Sequence, residues 1–415
     1  MKVLLLSYHP PFHPTLDHVV PTHLRCLAPH VEFVLLCMVR SPVEAHALTG
    51  SLAPYCRRIE TVLSPRPPAS VGVRPKTPAY WLRGLRSVLS TSAATHPWTR
   101  IASAPTHFYY SRSYSERLRA VVTEEQPDVV HFQDMITSTH WDDVPDWIPR
   151  IFCPVDCISR WFHEGYRVAS CVIDRWTRYG RFLETRAWER FVIPKFNMTA
   201  LVSPVDARWL VESVPGGRVT VVPMCVDTEY YRPLPLPEDD PSVLFTGMFT
   251  YPSNREAIGY FVRDILPGIR SSVPALKFYV VGENPDASIR GLASDRRNVV
   301  TASVEDIRTS MATAAVSVAP MRSGTGVKLK VLRPMAMARA VVSTREGIEG
   351  LSGVEDQTHL LVADTPAQFV AHVVRLLRDA TLRREVGDRA RRFVLERHGM
   401  DCWAARFLQI YRDAM

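Results

Sequence analysis

No run in this chain approaches the ~20 consecutive apolar residues that a membrane-spanning helix needs, which excludes helical membrane proteins as a class. Paired cysteine spacing is absent as well. None of the eight cysteines (Cys26, Cys37, Cys56, Cys153, Cys157, Cys171, Cys225 and Cys402) forms a CxxC, and nothing elsewhere completes a zinc set with Cys153 and Cys157. No metal and no cofactor are therefore expected, and the cysteines read as reduced thiols of a cytoplasmic protein. A secretory leader is not expected either: the first apolar run, Lys2 to Tyr8, is too short for a signal core, and Pro10 and Pro11 follow it directly. The cysteine–histidine and aromatic patterns of nucleic-acid binders are missing, so no nucleic-acid partner is expected.

What is present is a globular composition, 46% hydrophobic and 22% charged over 415 residues, enough for two domains of ordinary size. The formal net charge is +8 and its distribution is uneven. Arg57, Arg58, Arg66, Arg74, Lys76, Arg83, Arg86, Arg100, Arg112, Arg117 and Arg119 face only Glu60 and Glu116 over the same stretch, with Tyr80, Trp81, Trp98, Tyr109 and Tyr110 interleaved. Such a region suits peripheral contact with anionic lipid heads at the inner face of a membrane, or with a lipid-phosphate acceptor. An arginine-rich composition with no such partner would give the same charge.

Short apolar runs alternate with helical patterns along the whole chain, the sign of parallel sheets with crossover helices. In the first half the strands are expected at Lys2–Ser7, Val31–Val39, Arg58–Leu63, Val129–Phe132, Arg150–Pro154, Met198–Ser203 and Val219–Pro223, with helices around Ser113–Glu125 and Tyr179–Phe196. The second half repeats the pattern with strands at Ser242–Thr246, Lys277–Gly282, Val299–Ala302, Val316–Pro320, Ala340–Thr344 and His359–Val362. A proline-rich linker over about 231–241 separates an N-terminal domain, 1–225, from a C-terminal domain, 226–396. The last segment, 397–415, has the amphipathic spacing of a helix that packs on something, and is expected to cross back to the first domain.

The densest chemistry lies between Val316 and Leu351. A buried-strand run ends in Ser323-Gly324-Thr325-Gly326, a loop able to bring backbone N–H groups to an anion, and Lys328 and Lys330 open the helix that follows. A helix N-terminus carries about half a positive charge, so the pattern suits a diphosphate. Lys330 is the leading candidate for that ligand, with Lys328 and Arg322 in support.

This segment resembles the donor-site motif of glycosyltransferase family four, the group 1 transferases of GT-B fold, whose usual form is close to GSGxKxKxLEAMAxGxPVVxTxxGxEG. It is most similar to bacterial sugar transferases associated with exopolysaccharide operons. Further stretches carry the likeness in the same order. Val221–Pro233 resembles the family's hinge VVPNGVDxxxFxP, Leu244–Asn254 its FTGSMxWxPN motif, Val280–Pro285 its IVGxNP, and Val299–Asp306 its VxxTGxVxD. The resemblance implies an α/β protein of GT-B architecture, two doubly wound Rossmann-like domains facing across a cleft. It implies a sugar transfer from a nucleotide-diphosphate donor to a hydroxyl acceptor, with retention of configuration and without a metal.

For the donor it implies Gly247, Asn254 and Gly282 near the sugar nucleotide and Val304 at the nucleobase. It places Arg322, Gly324, Gly326 and Lys328 around the diphosphate, Thr325 at the donor where the family's paired-glutamate motif has its first glutamate, and Glu346, Gly347 and Glu349 beside the sugar. For the acceptor it leaves Asp17, His18 and Asp156, any of which could orient or deprotonate a hydroxyl; Lys330 would steady the leaving diphosphate.

Four departures stand against this pattern. Arg333 replaces the Glu that accepts hydrogen bonds from the ribose hydroxyls, and a guanidinium has no acceptor to offer. Losing that bond costs roughly 1.5 to 3 kcal/mol, about ten- to a hundredfold in affinity. Arg333 could instead meet phosphate, or pair with Glu346 or Glu349. Met224-Cys225 replaces Asn-Gly, Arg339 stands where relatives have Gly, and the first loop, His9 to His18, lacks glycine. A scaffold or activator derived from a transferase thus remains the alternative to a working enzyme.

Overall fold

The computed structural model describes residues 1–8, 19–64, 110–167, 169, 171–302 and 304–415. Asp17, His18 and the basic stretch 65–109 lie outside them. The chain divides into two compact units, Met1–Val222 with Ala404–Met415, and Pro223–Trp403.

The first unit is built on seven strands: β1 (Lys2–Ser7), β2 (Glu32–Val39), β3 (Arg58–Leu63), β4 (Val129–Phe132), β5 (Arg150–Val155), β6 (Met198–Leu201) and β7 (Val219–Val221). They lie in the order β3-β2-β1-β4-β5-β6-β7, every pair parallel. A strand covered on both faces has no polar side to alternate with, which is why Val3 to Leu6 and Phe33 to Val39 are apolar throughout and buried. Tyr114, Leu118 and Val121 from the helix Arg112–Glu125, and Trp188 and Val192 from the helix Val172–Val192, fill its core. The latter helix starts seven residues earlier than its periodicity indicates. Cys171 caps it, accepting from Asp174 N at 3.4 Å, but the residues of its first turns turn apolar side chains outward and so blur the pattern.

The helix Met400–Ala414 ends in this unit through buried aromatic contacts. The Tyr411 hydroxyl lies 2.7 Å from His23 Nε2 and 2.8 Å from His131 Nδ1. Burial lowers both imidazoles, His131 to about 3 and His23 well below its usual value, the latter also through the neighbouring His131. Five of the eight cysteines are buried, Cys56 and Cys402 are half-buried, and Cys171 alone is exposed.

The second unit holds β8 (Asp239–Thr246), β9 (Lys277–Val281), β10 (Asn298–Thr301), β11 (Ala314–Ala319), β12 (Val341–Ser343) and β13 (Leu361–Val362), ordered β10-β9-β8-β11-β12-β13 and again all parallel. Both sheets are Rossmann-like. In each, strand order reverses once, between β1 and β4 and between β8 and β11, and ligands of such sheets bind at the carboxyl ends of the strands flanking that reversal.

Candidate functional site

At the reversal of the second sheet, β8 runs out at Thr246 and the chain turns at Gly247, whose N–H donates to Val281 O at 3.1 Å. A Cβ there would stand 2.9 Å from Asn254 Nδ2 and 3.3 Å from Lys330 Nζ, so any larger residue would push on the amide and the ammonium. Gly282, just past β9, is pressed still harder, because a Cβ on it would come 1.7 Å from Gly247 O. The two glycines let neighbouring strand ends touch backbone to backbone.

Asn254, buried near the start of the helix Pro252–Tyr260, joins these ends to the loop after β11. Its Nδ2 donates to Met248 O at 2.7 Å, and its Oδ1 accepts from Lys330 Nζ. The Lys330 ammonium also lies 3.6 Å from Met321 Sδ and 4.6 Å from the Phe245 ring centre. Such surroundings offer little hydration, and although part of its side chain meets solvent, burial brings the ammonium down to about 7, with Lys328 adding to the effect. Lys330 is thus poised to gain a proton when an anion arrives.

Lys328 has a different place. Its Nζ donates to the carbonyls of Gly324, Thr325 and Gly326 at 2.8, 3.1 and 3.1 Å, so it clasps the loop from within. Gly324 and Gly326 adopt φ of +114° and +70°, which this tight wrap requires. Thr325 Oγ1 is enclosed and has no hydrogen-bond partner among the described residues. Ser323 Oγ ties the loop to Glu256 at 2.5 Å.

The turn after β12 is locked to the same loop. Thr344 Oγ1 donates to Met321 O at 2.5 Å and accepts from Gly347 N at 3.2 Å, and a Cβ on Gly347 would lie 2.1 Å from Ser343 Oγ. Glu346 is exposed and Glu349 half-buried. Arg322 is exposed, 5.1 Å from the Tyr260 ring centre, and Arg333, one helical turn past Lys330, sits 5.4 Å from that of Tyr231. Val304 is half-buried beyond β10, two strands away from β8. The structure therefore gathers Gly247, Asn254, Gly282, the 322–330 loop and the 344–350 turn around one strand junction. The helix Leu329–Ala336 opens there, and its N-terminal N–H groups join Lys330 and Arg322 as features that favour an anion.

The first unit places two carboxylates at its own strand ends. Asp156 follows Val155, whose φ of +70° is costly for a β-branched residue. Asp134, which motif reading passed over, stands just beyond β4 at the strand reversal. Its Oδ2 accepts from Tyr8 N at 2.9 Å, past the end of β1, and its Oδ1 accepts from Thr137 N at 2.8 Å. Burial raises Asp134 to about 7 against the pull of the Thr137 and Ile136 amides. The available signal was positional: a carboxylate two residues after the short buried strand Val129–Phe132.

Residues 240–379 match the family model of Glycosyl transferases group 1. A 44.6 kDa uncharacterised protein of the cps region of Klebsiella pneumoniae is 26% identical over 165 residues, which are 38% of this chain and 42% of that protein. The chain thus aligns with less than half the length of that curated relative. Among solved structures, sucrose-phosphate synthase from Thermosynechococcus elongatus superposes with a TM-score of 0.64 at 16% identity, over 99% of this chain and 98% of that one. HepE from Anabaena, solved in complex with UDP, gives a TM-score of 0.64 at 10% identity, over 99% and 100%. By fold the chain is a GT-B protein. The match to Glycosyl transferases group 1 lies within its second unit.

Proposed function

We propose that the protein transfers a sugar from a nucleotide-diphosphate donor to a hydroxyl acceptor, with the donor held by the second unit at the β8/β11 junction. The observation that carries this reading is Lys330: a lysine desolvated to a pKa of about 7, oriented by Asn254, at a helix N-terminus whose preceding loop holds an enclosed Thr325 hydroxyl. Holding an ammonium in so dry a place costs stability, and an incoming diphosphate offsets that cost. Lys330, the helix amides and Arg322 then stabilise the charge that grows on the diphosphate as the glycosidic bond breaks. With the leaving group so stabilised, neither a metal nor a strong protein base is required, and retention of configuration follows the family resemblance. Asp134 and Asp156 are the acceptor-side candidates; a carboxyl near pKa 7 suits a group that takes a proton from a hydroxyl at neutral pH. The acceptor is a small molecule, a glycan or a lipid-linked sugar. No described helix is long and apolar enough to cross a membrane; a cytoplasmic protein touching the membrane peripherally through its first unit is part of the proposal.

The test is a thermal-shift panel with UDP, GDP, dTDP, CDP and ADP on the wild type and on Lys330→Ala. UDP heads the panel because the neighbour HepE was solved with it. A nucleotide at a hundred times its Kd adds about 2.7 kcal/mol, a shift of several degrees. A shift that disappears in the variant supports the reading. Arg333, which offers a ribose no acceptor, favours the second reading, a transferase-like scaffold; no shift with any nucleotide in a folded sample selects it.

A further inference from the structure

The helix Val172–Val192 carries large apolar residues on two opposite faces. Phe182, Trp188 and Val192 point into the core. Val172, Ile173, Trp176 and Leu183 point the other way, 69%, 73%, 70% and 47% exposed. At helical spacing these four occupy one outward sector of about 100°, the width of stripe that a core-facing helix normally buries. A single exposed leucine needs no explanation, but an aligned stripe with a tryptophan near its centre does.

The surroundings of the stripe are cationic. The helix holds Arg175, Arg178, Arg181, Arg186 and Arg190 against Asp174, Glu184 and Glu189. Asp174 is paired with Arg178 at 2.8 Å, and Glu189 is buried, its carboxyl raised to about 7 and accepting from Ser159 N. Glu184 is the one acid exposed on this helix, while Arg175 and Arg190 are both exposed; Arg167, ending the preceding helix, is paired with Glu164 at 3.4 Å. A tryptophan among aliphatic side chains, edged by arginines on a helix lying along the surface, matches the boundary between acyl chains and anionic headgroups.

We infer that the outward face of this helix docks on an anionic lipid bilayer. Val172, Ile173, Trp176 and Leu183 enter the headgroup boundary while Arg175 and Arg190 meet lipid phosphates. This names a surface for the peripheral membrane contact proposed above; it rests on that part of the reading and not on sugar transfer.

The experiment sediments the full chain with vesicles of phosphatidylcholine alone or mixed with phosphatidylglycerol. An environment-sensitive fluorophore on Cys171, the exposed residue capping this helix, serves as a second readout. The expected result is binding to the mixed vesicles only, with a blue-shifted dye. The double variant Ile173→Ser/Trp176→Ser should weaken partitioning roughly tenfold, and Arg175→Glu/Arg190→Glu or raised salt should weaken it further. Wild-type protein that stays in the supernatant, or a double variant that partitions like wild type, overturns the inference. So does a double variant that changes only the oligomeric state on size exclusion, which would assign the face to a protein contact. A cooperative thermal melt without ligand checks that each variant is folded, and a nucleotide panel is run beside it. If vesicle binding holds while no nucleotide binds, the transferase reading fails and this one stands.

Discussion

The side-chain amide of Asn254 bridges two loops by facing both ways: its nitrogen donates to Met248 O at 2.7 Å while its oxygen accepts from the Lys330 ammonium, 76 residues along the chain. An amide can orient a lysine without neutralising it. A carboxylate in its place would satisfy the ammonium fully and remove the charge that an incoming diphosphate needs.

Lys330→Met should separate stability from binding. A lysine whose folded pKa is depressed to about 7 from 10.5 opposes folding wherever the unfolded chain keeps its proton, so stability of the wild type rises as pH climbs from about 7 towards 10.5. The methionine variant at pH 7 should melt no lower than wild type, each kcal/mol gained raising Tm by about 2–4 °C. Its nucleotide response should vanish. Calorimetry with and without UDP checks both, and a variant that melts well below wild type would contradict the desolvated-lysine account.

Nucleotide affinity should depend on pH around neutrality. An anion raises the pKa of Lys330 in the complex, so binding takes up a proton and weakens above pH 7, by up to about tenfold per unit. Titration calorimetry at pH 6.5, 7.5 and 8.5, in buffers of different ionisation enthalpy, reads the affinity and the proton uptake together. A flat profile would leave Lys330 charged throughout.

Arg333→Glu tests the largest departure from the family pattern. If the site retains its ancestral geometry, the carboxylate regains the ribose hydroxyls and tightens binding by about ten- to a hundredfold. The exchange gives up the Arg333 contact with Tyr231, worth about 0.5–1 kcal/mol. Weaker binding in the variant would mean that Arg333 itself meets the donor.

The two histidines around Tyr411 set an acid limit. Their folded pKa values lie below the unfolded value of 6.5, so the unfolded chain takes up protons first and stability falls as pH drops below 6.5, towards about 3 for His131. Each histidine contributes a slope of about 1.4 kcal/mol per pH unit in that range. Tyr411→Phe, which strips both rings of their shared partner, should cost about 1–3 kcal/mol at pH 7.5 in urea unfolding.

Both sheets were legible in the sequence because buried parallel strands are continuous apolar runs. Lys2–Ser7 and Val129–Phe132 coincide with observed strands of this kind. Lys328 and Lys330 look alike in one dimension. What divides them is the path of the loop, which presents three carbonyls to the first and Asn254 to the second. Asp134 escaped notice because its character comes from burial and from Tyr8 N, 126 residues earlier. The outward stripe on Val172–Val192 hid that helix's beginning, since hydrophobic periodicity reports only the face that meets the core.

The chain leaves its first unit at Val222 and returns to it at Ala404, so the second unit is in effect a long insertion within the first. Tyr411, the residue that both buried histidines need, lies beyond that insertion, 280 residues after His131. On the ribosome the second unit can close on itself while the first waits, its His23 and His131 pocket open, until the helix Met400–Ala414 has been made. A premature stop that removes the helix Met400–Ala414 would therefore damage the unit built on strands made long before it, and leave the inserted unit almost whole.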